Sequence, residues 1–150
     1  MIEKVISGGQ TGVDRAALDV AMKLNIECGG WVPKGRKAED GVIHPRYPMK
    51  EMESAEYADR TRQNIIDSDG TLILYLGAMS DGTKLTYELP KLLNKPYYII
   101  DMSQPVDVEA FRDWVNKNFV RILNIGGPRA SYAPGKIYPN AFKILVKLLS

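Results

Sequence analysis

Ser7-Gly8-Gly9-Gln10-Thr11-Gly12-Val13-Asp14-Arg15 is the stretch whose reading decides the fold. A short run, Glu3-Lys4-Val5-Ile6, leads into it and reads as a strand. Beyond it, Val13, Ala16, Ala17, Val20, Ala21 and Leu24 fall at i, i+3, i+4, i+7, i+8 and i+11, one apolar face of a helix. The segment is therefore strand, glycine turn, helix. Three glycines in five residues let the backbone turn sharply and let a ligand approach closely. The helix start offers N–H groups and the positive end of the dipole, which favour an anion. Thr11 suits the N-cap, and Asp14 the place of a capping acid three residues on. Arg15 in the first turn opposes the dipole, so a negative partner outside the helix is expected. The alternative is a tight turn that needs small residues and binds nothing.

Outward from this turn, strands and helices alternate. Residues 25–31 read as a short strand ending in glycines. A polar connection follows, with Lys34, Arg36 and Lys37 close together and no periodic pattern up to Met52. A structureless connection longer than about 20 residues is unusual in a compact domain and is often functional. His44 has no partner at metal-ligand spacing and reads as a surface residue. Ser54 to Asp67 reads as a helix capped by Ser54, with Arg60 and Arg62 on its polar, solvated side. The unbroken run Thr71-Leu72-Ile73-Leu74-Tyr75-Leu76 suits a central strand buried on both faces.

That strand stops at a second glycine turn, residues 77–83, and a helix with Pro90 inside it follows. Pro90 is expected to kink or shorten that helix. Residues 97–100 are a strand, Asp107 to Asn118 a helix and 119–123 a strand. A third glycine turn, residues 124–131, precedes a last helix carrying Ala141, Ile144, Leu145, Leu148 and Leu149. Such alternation predicts one α/β domain over residues 1–150, a mostly parallel five-stranded sheet with helices on both faces. In a parallel sheet all three glycine turns fall on one edge, beyond the carboxyl ends of the strands, where ligands bind. Together they describe a cleft rich in N–H donors, with Arg15, Lys34 and Arg129 as counter-charges, suited to a phosphorylated small molecule.

Composition is consistent with this. A chain of 150 residues can bury a real core, and a net charge of +2 is too weak to argue for nucleic acid. The single cysteine, Cys28, allows no internal disulfide and reads as a small buried thiol. No stretch approaches the roughly 20 apolar residues of a membrane helix, and the N-terminus enters a strand directly. A cytoplasmic protein is expected.

Residues 7–19 closely resemble the molybdenum cofactor carrier protein family. So do Gly29-Gly30-Trp31-Val32-Pro33-Lys34-Gly35-Arg36, Ala38-Glu39-Asp40-Gly41, Tyr57-Ala58-Asp59-Arg60-Thr61, residues 67–74, Gly82-Thr83-Lys84-Leu85-Thr86 and residues 123–129. The resemblance implies a Rossmann-like fold, molybdopterin-based cofactor as cargo, identical subunits associating as a dimer or tetramer, and molybdoenzymes as clients. The cargo-binding residues on this reading are Gly8, Gly9, Gln10, Thr11, Gly12, Arg15, Lys34, Ser80, Gly82, Thr83, Thr86, Gly126, Gly127 and Arg129. The cofactor's molybdenum is held by the pterin's own dithiolene sulfurs, so a carrier needs no metal-ligand cluster; with one cysteine and one histidine, none is expected.

The chain is also similar to the wider superfamily of Lonely-Guy-type phosphoribohydrolases, which cleave nucleoside monophosphates. Gly82-Thr83 matches their second turn. Where they carry a catalytic glutamate, this chain has Leu85 and Thr86, and Glu88 comes too late. Two functions therefore stand: a non-catalytic carrier of a phosphorylated pterin or nucleotide, and a nucleotide-processing enzyme using Asp14 or Glu88 as acid or base.

Overall fold

The computed structural model describes residues 1–77 and 88–150. Strand β1 (Lys4–Ile6) runs through the glycine turn into helix α1 (Val13–Lys23), which buries Val13, Ala16, Ala17, Val20 and Ala21, the face its spacing predicts. Then come β2 (Glu27–Gly29), four two-residue strands β3 (Trp31–Val32), β4 (Lys37–Ala38), β5 (Gly41–Val42) and β6 (Lys50–Glu51), and helix α2 (Tyr57–Asp67). The rest is β7 (Gly70–Tyr75), helical residues 88–92 (α3), β8 (Tyr97–Asp101), α4 (Val108–Lys117), β9 (Ile122–Gly126) and α5 (Ile137–Leu149). Pro90 lies among these helical residues, and residues 78–87 are outside the described ones.

The main sheet has five strands in the order β2-β1-β9-β7-β8, and every neighbouring pair is parallel. Counted along the chain, that order is 2-1-5-3-4. If the count instead starts at β9 and continues with β1, β2, β7 and β8, it becomes 3-2-1-4-5, the strand order of the doubly wound nucleotide-binding fold. The sheet is thus a Rossmann-like one whose chain begins at its second strand. Helix α5 packs against both α1 and α4. Right-handed crossovers put α1 and α4 on one face, where α5 packs with them, and α2, whose connection crosses the sheet the other way, on the opposite face. Strand β7 is buried along most of its length, with Leu72, Ile73 and Leu74 fully so. No helix among the described residues is long and apolar enough to cross a membrane.

Three local expectations are corrected. Helix α2 starts at Tyr57, not Ser54: the Ser54 hydroxyl accepts the Glu56 N–H at 3.0 Å and donates to Asp59 at 2.6 Å, folding its own turn ahead of the helix. The last strand starts at Ile122 rather than Phe119. Phe119 has φ of 53° and ends α4 where a glycine would be usual, while Val120 turns back to donate to the Val115 carbonyl at 3.0 Å. The connection after β2 is also more ordered than expected. It holds a hairpin, β4 with β5, and a parallel ladder, β3 with β6.

Candidate functional site

The first and third glycine turns meet at the carboxyl edge of β1 and β9. Gly12 has φ of 81°, and a Cβ there would lie 2.8 Å from the Ala130 nitrogen. Val13 donates its N–H to the Pro128 carbonyl at 3.2 Å, and Ala130 donates to the Thr11 hydroxyl at 3.1 Å. Gly127 is wedged between sheet and helix: a Cβ would meet the Leu74 carbonyl at 2.5 Å and Val13 Cγ2 at 2.7 Å. Gly9 and Gly127 therefore share one edge. Ser80, Gly82, Thr83 and Thr86, the second-turn residues of the sequence reading, lie outside the described residues. The order of strands reverses direction between β9 and β7, which puts the crevice of the fold beside Gly126 and Gly127.

Gly12, not Thr11, occupies the N-cap of α1, and no side chain caps it. Asp14 faces inward, accepts the Gln10 N–H at 3.3 Å and is 5% exposed. Burial pushes its carboxyl up to about 6, against the pull of the Arg60 charge and the Gln10 N–H. Arg60 itself departs from the sequence reading. It is not on a solvated face: its side chain is only 11% exposed. Because α2 runs antiparallel to the strands, its first turn sits at the carboxyl edge, and Arg60 lies across Gly8. A Cβ on Gly8 would be 2.5 Å from the guanidinium carbon. Arg60 bonds the Thr61 hydroxyl and approaches Asp14 at 3.7 Å. Its Nε is buried without a hydrogen-bond partner, alone in this among the described residues.

The connection after β2 folds back over the turn. Val32 and Ile43 cover Gly9, where a Cβ would meet each at 3.0 Å. Arg15 finds its expected negative partner within the chain, donating to both Asp40 oxygens at 3.0 and 3.2 Å and to the Gly9 carbonyl. Those hydrogen bonds hold Asp40 below the usual carboxylate range. Gln10 accepts the Glu39 N–H at 2.8 Å, so it too braces the turn. Glu39 accepts from the Thr11 hydroxyl, the Ser131 N–H and the Ser131 hydroxyl, with Arg129 Nε at 3.8 Å. Arg36 donates to the carbonyls of Ile43, His44 and Tyr47, which shapes the connection. Lys34 is exposed, as are His44 and Glu88, and Cys28 is buried.

The permuted strand order and the glycine edge have a counterpart among known proteins. A model of the circularly permutated YpsA SLOG family matches residues 5–149. The chain belongs to this family. A crystal structure from Syntrophus aciditrophicus SB, named "Putative molybdenum carrier protein", is similar with a TM-score of 0.93 and 43% identity, over 99% of this chain and 96% of that one. No curated protein matches. Membership of the circularly permutated YpsA SLOG family agrees with the resemblance seen in the sequence and with the Rossmann-like sheet. Arg60 and Glu39 were both inside the quoted motifs. Their place at the edge was not legible, because neither lies in a glycine turn.

Proposed function

We propose that this protein carries the molybdenum cofactor, holding a phosphorylated pterin by its phosphate end at the carboxyl edge of the sheet. The observation that carries this reading is the buried, partnerless Nε of Arg60 lying across Gly8. A buried donor without a partner costs about 1–3 kcal/mol, more when charged, and a ligand oxyanion would offset that cost. The 43% identical neighbour, itself named a molybdenum carrier, supports the choice of cargo. Backbone donors of Gly8, Gly12, Gly126 and Gly127, with Gly82, Thr83 and Thr86 of the second turn, complete the proposed site. Association of identical subunits, delivery to molybdoenzymes and a cytoplasmic location belong to the same proposal.

A second reading, a nucleotide-processing enzyme related to phosphoribohydrolases, is favoured by Asp14. A carboxyl raised to about 6 beside the glycine turn is suited to acid or base work near neutral pH.

The test is to incubate the protein with molybdopterin and with a panel of nucleotides and read the outcome by mass spectrometry. Intact molybdopterin retained by the parent and lost in Arg60→Ala supports the carrier, with the exposed Lys147→Ala as control. Release of a nucleobase supports the enzyme. Equal retention by the parent and Arg60→Ala overturns the assigned site.

A further inference from the structure

We propose that Thr11, Ser131 and Arg129 form an oxyanion subsite, filled from within by Glu39, that takes a phosphoryl group of the ligand when the Glu39 side chain turns out. This rests on the reading that the edge binds a phosphorylated ligand, and names a second point of contact and its internal competitor.

The donor set is that of a phosphate site. The Thr11 hydroxyl donates to Glu39 Oε1 at 2.5 Å, the Ser131 N–H at 3.1 Å, and the Ser131 hydroxyl to Oε2 at 2.5 Å. Arg129 Nε adds its charge at 3.8 Å. Two hydroxyls, a backbone N–H and a guanidinium converge on one carboxylate, and such a set accepts any compact oxyanion. Burial opposes the charge on Glu39, yet the bonds from Ser131 and Thr11 outweigh it and hold the carboxyl below its ordinary value. The donors therefore prefer an anion in this place.

Position and exposure support exchange. Ser131 and Arg129 follow β9, the strand that opens the unpermuted order, and the turn after that strand is where the doubly wound fold receives phosphates. The Glu39 backbone is fastened independently of its carboxylate, by its N–H to Gln10 at 2.8 Å and by the neighbouring Asp40 to Arg15. The side chain, 22% exposed, can leave by rotating its own bonds while the connection stays in place. Arg129, 59% exposed, can follow an incoming anion.

The experiment measures the unfolding midpoint against rising inorganic phosphate at constant ionic strength, with chloride as control. Glu39→Gln should bind phosphate about tenfold more tightly than the parent, seen as a larger rise in midpoint at equal phosphate. Glu39→Gln combined with Ser131→Ala should lose that gain. Glu39→Asp, shorter by one methylene, should give an intermediate gain and serves if Glu39→Gln does not fold. Equal phosphate responses in the parent and the Glu39 variants overturn the subsite and leave Glu39 a structural strap. If the parent responds, Arg60→Ala does not, and the Glu39 variants match the parent, the edge still binds phosphate and only this subsite falls. If no variant responds to phosphate, both fall.

Discussion

Arg60 Nη2 stands 3.7 Å from Asp14 Oδ2, inside the fold and beyond hydrogen-bond reach, with the two side chains 11% and 8% exposed. The pair is close enough to interact and too far apart to satisfy either partner. Asp14 is raised from 3.8 to about 6. Between those values the folded chain binds more protons than the unfolded one, so stability falls as pH rises, and the full cost stands above about pH 6. A shift of that size corresponds to roughly 3 kcal/mol. Measured by urea unfolding against Asp14→Asn, which does not titrate, the parent should lose up to that amount between about pH 4 and pH 7. A difference that stays flat with pH would show that Asp14 does not ionise in this range.

Anion binding should follow the same group in the same sense. Below about pH 6 Asp14 becomes neutral and Arg60 keeps its charge for a ligand, so binding of sulfate, whose own charge is constant over this range, should tighten as pH falls through that value. Calorimetry or midpoint shifts on the parent and Asp14→Asn would show it. The variant should bind more tightly at neutral pH and lose the dependence.

Gly127→Ala and Gly35→Ala separate contact from conformation. At Gly127 the new Cβ would strike the Leu74 carbonyl and Val13, and overpacking of this kind costs about 1–3 kcal/mol. Gly35 has φ of 85° with nothing within 4 Å of its Cβ position, so alanine there meets only the left-handed penalty, about 1–2 kcal/mol. Thermal unfolding should show both losses. Phosphate binding should change only in Gly127→Ala, whose turn faces the crevice.

Asp19 ties α1 to α5 and to the connection after β2 through phenols. Tyr138 of α5 donates to it at 2.5 Å and the buried Tyr47 at 2.7 Å, with Arg46 bonded to both Tyr47 and Asp19. Burial, followed by the Asp19 bond, raises the ionisation of both phenols. Tyr138→Phe should cost about 1.5 kcal/mol, near the low end for a bond to a charged group because the site is partly open. A double-mutant cycle with Tyr47→Phe should be non-additive, since the two share one carboxylate.

Much of the fold was legible because it is periodic. The alanine-rich face of α1 and the unbroken run of β7 each carry one pattern, and each is buried as that pattern requires. What was hidden is set by partners distant in the sequence. Phe119 looked like a strand residue because a non-glycine in the left-handed region leaves no mark on the pattern. Arg60 looked solvated because helical spacing puts it on a polar face; the sheet order brings the first turn of α2 to the carboxyl edge, and Arg60 over Gly8. The connection after β2 looked irregular because its order comes from single bonds, such as Arg36 to three carbonyls and Arg15 to Asp40.

The slot of β9 between β1 and β7 sets the order of assembly. As the chain leaves the ribosome, β1 with β2 and β7 with β8 can each pair locally, since each pair is joined by its own crossover. Each pair then presents an open flank to the gap that residues 122–126 must fill. The keystone arrives last, so the two halves stay unjoined until the chain is nearly complete, and the closing contacts span more than a hundred residues, such as Val5 to Leu123. Long-range closure of this kind is slow and leaves strand edges bare meanwhile. A chain that stops before Ile122 does not lose an outer strand: it loses the one that makes two pairs into a single sheet.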